Sequence, residues 1–209
     1  MGEIILLRHG ESTGVQLRRL QGHSDLPLTE RGRAQIRTLA AYWRQHGQTF
    51  AGVITSPLQR ARETGEIIAA ALGLPTPVEE PLWIERQFGQ GEGQPLEQLG
   101  AWYRDRPAPT AFEPIYDTGE SEWAVHLRAG QALAGMVELP EGNYLVVSHG
   151  NVISAVLHTV FGVLPAGRCL PVECGLAPGC YAHLRYQRMT GRWGLLSFND
   201  RAWSAAEGG

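Results

Sequence analysis

Two short apolar segments that each end in a histidine constrain this chain more than any other feature. Residues 3–7 are followed by Arg8-His9-Gly10, and residues 143–148 are followed by His149-Gly150. Runs of this length are typical of strands buried on both faces of a sheet. Ligands of open α/β sheets bind beyond the carboxyl ends of the strands. The sequence therefore predicts that His9, His149 and Arg8 face one site.

Helical patterns fill most of the remaining sequence. We expect helices over residues 29–46, 57–72, 95–103, 120–139 and 152–161, a short strand at 53–54, and a terminal hairpin over 181–188 and 193–198. The second helix should open at Ser56-Pro57, because serine is a good N-cap and proline fits the first helical turn. Alternating strands and helices favour a layered α/β fold with a mainly parallel sheet.

The composition is that of one globular domain. The chain has 209 residues, of which 43% are hydrophobic, a net charge of -3 and no polybasic tract. We therefore expect a single domain over residues 1–209, with no nucleic-acid partner and no membrane partner. A secretory signal is not apparent, and the three cysteines lack the paired spacing of a metal site or disulfide framework. These features predict a cytoplasmic protein.

Residues 87–119 form a Gly- and Pro-rich stretch that is longer than an ordinary connection. Loops of this length inside a compact domain are often functional. We expect an insertion or lid here. Four residues of this stretch could contact a ligand, namely Trp102, Tyr103, Arg104 and Arg106. Alternatively, the two aromatic residues only pack against the rest of the protein.

A second arginine is expected at the same edge of the sheet. Arg60 falls in the first turn of the helix that follows the strand at 53–54. Guanidinium groups match phosphate oxygens, so Arg8 and Arg60 predict a clamp for a dianion. Their charges also favour a neutral His9, and a neutral imidazole can act as a nucleophile toward phosphorus.

The leaving group of such a reaction needs a proton, which a nearby carboxyl group can supply. The residues alone offer Glu11, Glu85 and Glu92 and do not decide between them. His23, His46, His126, His158 and His183 have no metal-ligand spacing and are interpreted as structural or exposed. No metal is predicted.

Six segments, in order along the chain, together resemble the histidine phosphatase superfamily, also called phosphoglycerate mutase-like. They are LLRHGES at residues 6–12, QGHSDLPLTERG at 21–32, SPLQRARET at 56–64, ERQFGQGEG at 85–93, GES at 119–121 and VSHG at 147–150. The resemblance reaches from near the start of the chain to about residue 155. Its implied fold is a three-layer α/β/α sandwich with a mainly parallel, mixed sheet.

The resemblance also implies site residues. His9 is the implied phosphate acceptor, Glu85 the implied proton donor and His149 the other catalytic residue, which contacts the phosphoryl group together with Arg8 and Arg60. Two further phosphate contacts are predicted. Gln16 lies where the family often has an asparagine, and Gly22 belongs to the second segment. No cofactor is implied.

The predicted function is a metal-independent phosphatase that acts on a small phosphorylated substrate through a phosphohistidine. The alternatives are a cofactor-dependent phosphoglycerate mutase and a protein phosphatase or phosphoprotein-binding module. A homodimer is possible. The hypothesis requires that His9 and His149 lie on the same side of the sheet and that neither is buried away from solvent.

Overall fold

A six-stranded mixed sheet forms the centre of the protein. The structure, a computed structural model, describes residues 2–104, 110–167 and 174–202. The strands are β1 (Gly2–Arg8), β2 (Gly52–Thr55), β3 (Val78–Glu79), β4 (Asn143–Ser148), β5 (Tyr181–Gln187) and β6 (Arg192–Asp200). Their order in the sheet is β3-β2-β4-β1-β5-β6. The first four strands in this order pair in parallel, whereas β5 pairs antiparallel with both β1 and β6.

Helices cover both faces of the sheet. They are α1 (Thr13–Gln16), α2 (Glu30–Gln45), α3 (Gln59–Leu72), α4 (Leu96–Arg104), α5 (Glu122–Glu138) and α6 (Gly150–Phe161). Single 3-10 turns occur at Pro81–Trp83, Gly89–Gly91 and Ile115–Asp117. No helix in the described ranges is long and apolar enough to cross a bilayer.

Strand alternation divides the core into two layers. Ile4 and Leu6 pack against α5 and α6, while Ile5 and Leu7 pack on the other face against α2 and α3. Successive side chains of a strand point to opposite faces, so an apolar run such as β1 is buried on both. The predicted three-layer α/β/α sandwich with a mainly parallel sheet is confirmed.

The beginning of α3 differs from the prediction. The helix starts at Gln59 with Leu58 as N-cap, two residues after Pro57. Asp25 caps it instead, because its Oδ1 accepts from the backbone N–H of Gln59 at 2.6 Å. Ser56 is thereby free to point its hydroxyl elsewhere, and it lies completely buried at the end of β2.

Part of the predicted insertion packs against the loop that precedes α2. Phe88 and Ile115 form a small core cluster with Leu20, and Trp102 and Tyr116 pack against it with ring centroids 5.1 Å apart. Of the two alternatives for Trp102, the structure therefore shows packing. Arg106 and the side chain of Tyr103 lie outside the described part of the chain. The assignment of 87–119 as a lid stays a prediction.

Candidate active site

The register of β1 against β4 brings the two histidines together. The strands are parallel neighbours, and Arg8 pairs with Ser148 at their carboxyl ends. His9 and His149 come next in the sequence, and the backbone N–H of His9 donates to the carbonyl of Ser148 at 3.0 Å. The ring centroids of the two histidines lie 5.1 Å apart, with an interplanar angle of 60°. Both therefore lie on the same side of the sheet.

Solvent touches this site only at its edge. His9 is 2% exposed and Glu85 8%, whereas His149 is completely buried. The expectation that solvent reaches both histidines is therefore wrong for His149, because its ring lies against His9 and the hydroxyl of Ser56. Charge interactions are stronger in such a water-poor site than at the surface.

A backbone carbonyl fixes the proton of His9. Nδ1 lies 2.7 Å from the carbonyl oxygen of Gly10, which only accepts, so Nδ1 carries the proton and donates it. Burial lowers the pKa of His9 well below its usual value, and the charges of Arg60 and then Arg8 lower this pKa further. The hydrogen bond to Gly10 opposes that fall. The neutral ring keeps its lone pair on Nε2.

Two arginines surround the histidines with positive charge. Arg8 donates from Nη1 to the carbonyl of Leu176 at 2.6 Å. Arg60 donates to the carbonyls of Ser24 and Gly22 at 2.9 and 2.8 Å. The Nε atoms of both arginines are buried and have no hydrogen-bond partner among the described residues. A buried donor without a partner costs about 1–3 kcal/mol, so an anion that accepted from these atoms would be stabilised.

His149 also has a buried nitrogen of this kind. Its Nε2 lies 2.7 Å from Oγ of Ser56, while its Nδ1 makes no hydrogen bond to any described residue. Burial lowers the pKa of His149 well below its usual value, and the charge of Arg60 is the next largest cause. This ring is therefore neutral too and has a single N–H.

Glu85 lies at the N-terminus of α6, the helix that begins directly after His149. Its carboxylate accepts from the backbone N–H groups of Arg86 at 2.8 Å and Asn151 at 3.5 Å. Its charge acts on both Arg8 and Arg60 and partly offsets the fall in their pKa that burial causes. The structure therefore brings together five of the predicted site residues, namely Arg8, His9, Arg60, Glu85 and His149.

The other two candidate glutamates have different partners. Glu92 accepts from the N–H of His23 at 2.9 Å and from the hydroxyl of Ser24 at 3.0 Å. It thereby fixes the loop whose carbonyls hold Arg60. Glu11 accepts from the hydroxyl of Thr29, the N-cap of α2, at 2.8 Å. Both carboxylates support the loops around the site.

The two remaining predicted phosphate contacts, Gln16 and Gly22, have different positions in the structure. Gln16 lies on α1 with an exposed side chain. Gly22 has a φ of 51° and binds Arg60 through its carbonyl. Their contacts with phosphate stay predictions, and the observed role of Gly22 is to hold a guanidinium group.

The sequence did not predict a role for Arg128, which holds the backbone that carries Glu85. Its guanidinium donates to the carbonyls of Leu82, Ile84 and Glu85, at 3.0, 2.5 and 3.3 Å. The same group pairs with the carboxylate of Glu120 at 2.8 Å. Because most of its partners are carbonyls far away in the sequence, no local pattern marks it.

A cavity of about 70 Å³ adjoins the donor side of the site. Asn151, which contacts Glu85, forms part of its wall together with Arg86, the residue after Glu85. Its other polar lining residues are Glu122, His126, Ser154 and His158. The lining thus combines one cationic, one acidic and several neutral polar groups.

The family model of the histidine phosphatase superfamily (branch 1) matches residues 4–201. The chain belongs to this superfamily. Among curated proteins, a probable phosphoglycerate mutase GpmB of Yersinia pestis (strain Pestoides F) is 38% identical over 171 residues, covering 79% of this chain and 77% of the relative.

Solved structures of other histidine phosphatases share the fold. A phosphoserine phosphatase from Entamoeba histolytica, in complex with 3-phosphoglyceric acid, superposes with a TM-score of 0.76 at 25% identity, covering 96% of this chain and 98% of the other. A mycobacterial glucosyl-3-phosphoglycerate phosphatase gives a TM-score of 0.77 at 23% identity, over 94% and 98% of the two chains. At 23% identity, the similarity to the mycobacterial phosphatase shows a shared fold and no more.

Proposed function

We propose that this histidine phosphatase is a metal-independent phosphomonoesterase that hydrolyses a small phosphorylated metabolite through a phosphohistidine at His9. The observation that carries the proposal is the contact of 2.7 Å between Nδ1 of His9 and the carbonyl oxygen of Gly10. The Nδ1–H of His9 is committed to the carbonyl of Gly10, so the Nε2 lone pair is available beside two arginines and a second histidine. A nucleophile toward phosphorus requires that arrangement.

In the proposed first step, Nε2 of His9 attacks phosphorus and the bond from phosphorus to the ester oxygen breaks. Glu85 must carry a proton when the substrate is bound, and its carboxyl group gives that proton to the leaving oxygen. The buried N–H groups of Arg8, Arg60 and His149 stabilise the charge that develops on the phosphoryl oxygens. His149 is completely buried. Its proposed role requires contact with the phosphoryl oxygens and no contact with bulk water.

In the second step, Glu85 accepts a proton from water as that water attacks the phosphohistidine. The bond between phosphorus and nitrogen breaks, His9 regains its lone pair, and inorganic phosphate is released. Glu85 therefore serves as acid and then as base, and the cycle returns every group to its starting state.

The low exposure of His9 and Glu85, at 2% and 8%, favours a small substrate. A cavity of about 70 Å³ with Arg86 and Asn151 in its wall lies beside Glu85 and offers room for a few polar atoms. The third alternative, a protein phosphatase or phosphoprotein-binding module, would need a wider approach to His9. Location in the cytoplasm rests on the sequence alone, and assembly as a homodimer stays an untested prediction.

A phosphoglycerate mutase is the second candidate, because that is the name of the curated relatives at 38% identity. A mutase must protect its phosphohistidine from water long enough to return the phosphoryl group to a glycerate. The low exposure of His9 is compatible with both reactions. Comparing hydrolysis of 3-phosphoglycerate with its conversion to 2-phosphoglycerate separates them.

The test is phosphate release from a panel of phosphorylated metabolites in the presence of EDTA, with acid quenching to trap phosphoenzyme. We expect release and acid-labile labelling from the wild-type protein, and loss of both in His9→Ala. Activity that requires an added divalent metal would contradict the mechanism. Isomerisation of 3-phosphoglycerate that exceeds its hydrolysis would favour the mutase.

The role of Glu85 has a separate test. Glu85→Gln should slow phosphoenzyme formation strongly for alkyl esters and weakly for aryl esters, which leave without a proton. Glu92→Gln is the matched control: Glu92 supports the loop whose carbonyls hold Arg60, so its replacement should affect phosphate binding and lower the turnover of alkyl and aryl esters by similar factors. Equal losses for both classes of ester in Glu85→Gln would remove Glu85 from the donor role.

A further inference from the structure

Ser56 makes a contact that the reaction described above does not use. Its Oγ lies 2.7 Å from Nε2 of His149 and also accepts from the backbone N–H of Leu58 at 3.3 Å. Ser56 and His149 are both completely buried. Nδ1 on the other side of the ring is buried without a hydrogen-bond partner in the described ranges.

Two proton arrangements are compatible with this geometry. A neutral imidazole has one proton, and a serine hydroxyl has one proton and two acceptor sites. If Nε2 of His149 donates to Ser56, then Nδ1 is a bare lone pair. If the hydroxyl of Ser56 donates to Nε2, then the imidazole proton is on Nδ1. In the second arrangement Oγ still accepts from Leu58.

A bound phosphoryl group distinguishes the two arrangements. Its oxygens are acceptors, so they repel a lone pair on Nδ1 and attract an N–H there. Protonating both nitrogens would also provide that N–H, but burial and the nearby Arg60 lower the pKa of His149 well below its usual value. The ring therefore needs a partner that donates to Nε2.

We propose that Ser56 is a positioning residue: its hydroxyl donates to Nε2 of His149 and thereby holds the tautomer that presents Nδ1–H to the transferred phosphoryl group. The proposal rests on the phosphatase function. It also gives the two histidines complementary forms. The carbonyl of Gly10 leaves a lone pair on Nε2 of His9, and the hydroxyl of Ser56 leaves an N–H on Nδ1 of His149.

The structure offers a matched control. Ser148 is also completely buried at a strand end, and its hydroxyl donates to the carbonyl of Trp83 at 2.7 Å. Ser148→Ala therefore removes a buried serine hydrogen bond next to His149 in the sequence without touching its ring. Ser56→Thr keeps the hydroxyl, while Ser56→Ala removes it.

The direct measurement is the tautomer of His149, read from the side-chain ¹⁵N chemical shifts of ¹⁵N-histidine-labelled protein with saturating inorganic phosphate. We expect a protonated Nδ1 in the wild-type protein, in Ser148→Ala and in Ser56→Thr. Ser56→Ala should shift the proton toward Nε2. Protonation at Nε2 in the wild-type protein would overturn the proposal, and so would an unchanged tautomer in Ser56→Ala.

Kinetics give the second readout. We expect Ser56→Ala to lower kcat/KM by roughly 100-fold, the lower end of the effect of losing one oriented donor, because the donor is displaced and not deleted. Ser56→Thr should recover most of the activity. Equal losses in Ser56→Ala and Ser148→Ala would indicate a merely structural serine. The spectra need no turnover, so absence of phosphatase activity in the wild-type protein would refute the proposed function and leave the tautomer measurement valid.

Discussion

Replacing Arg128 with methionine should weaken both the fold and the transfer of a proton to poor leaving groups. The guanidinium holds the carbonyls of Leu82, Ile84 and Glu85 and pairs with Glu120. Methionine keeps much of the apolar stem and removes all of these hydrogen bonds. The segment that carries the carboxyl group of Glu85 then loses its tether to α5.

The magnitude follows from burial. The side chains of Arg128 and Glu120 are 14% and 21% exposed, so their ion pair is mostly but not wholly buried. Removing one partner of a buried pair costs about 3–5 kcal/mol, and each carbonyl left without a donor adds about 1 kcal/mol where water cannot replace it. Some water reaches this pair, so we expect a total of about 4 kcal/mol. For a chain of this length that corresponds to a fall in Tm of roughly 8–16 °C.

The assay combines thermal unfolding with hydrolysis of paired alkyl and aryl phosphate esters. Arg33→Met is the control, since Arg33 makes a comparable bridge to Glu30 and Glu63 in the α2–α3 layer, away from Glu85. We expect it to lower Tm less and to leave the ratio of alkyl to aryl turnover unchanged. An Arg128→Met protein with wild-type Tm, or one that loses both ester activities equally, would refute the reasoning.

Two further predictions concern a glycine and the histidine charges. Gly22→Ala should reduce phosphatase activity and stability more than Gly47→Ala. Both glycines have positive φ, but an added Cβ at Gly22 would lie 2.4 Å from Oε1 of Glu92, whereas one at Gly47 would have nothing within 4 Å. Equal unfolding curves and equal activities of the two variants would contradict this prediction. The free energy of unfolding should fall as the pH drops from about 7 to 5. The pKa values of His9 and His149 are lowered in the folded state, so the unfolded chain binds more protons at these residues in this pH range. Each histidine should lower the free energy of unfolding by about 1 kcal/mol per pH unit. In His149→Gln, the free energy of unfolding measured with urea should depend less steeply on pH than in the wild-type protein. An equally steep pH dependence in both proteins would count against a neutral His149.

The strands that carry the site could be predicted because they are continuous apolar runs. The prediction over residues 143–148 coincides with β4, and that over 3–7 lies within β1. In contrast, β3 has only two residues, Val78 and Glu79, and both are exposed. A strand that short has no alternation of apolar and polar residues to detect, and it forms because the edge of β2 offers hydrogen bonds.

The residues that position the catalytic groups could not be predicted in the same way. Ser56 was assigned to the N-cap of α3, since its sequence neighbours resemble a helix start, whereas the folded chain uses Asp25 there. The partner that gives Ser56 its importance, His149, lies 93 positions later. Arg128 likewise binds mostly backbone carbonyls, which carry no residue identity. Contacts of this kind exist only once the layers have packed.

Register is the physical condition on which the whole site depends. His9 and His149 meet because Arg8 lies opposite Ser148, so each histidine is the first residue past a paired strand end. A slip of one residue between β1 and β4 would exchange the faces of every side chain of the slipped strand and would separate Arg8 from Ser148. Because β1 is apolar on both faces, the observed register is favoured by close packing: Ile4 and Leu6 fit one hydrophobic layer, and Ile5 and Leu7 fit the other. Packing of the core thus sets the separation of two rings that contribute almost no exposed surface of their own.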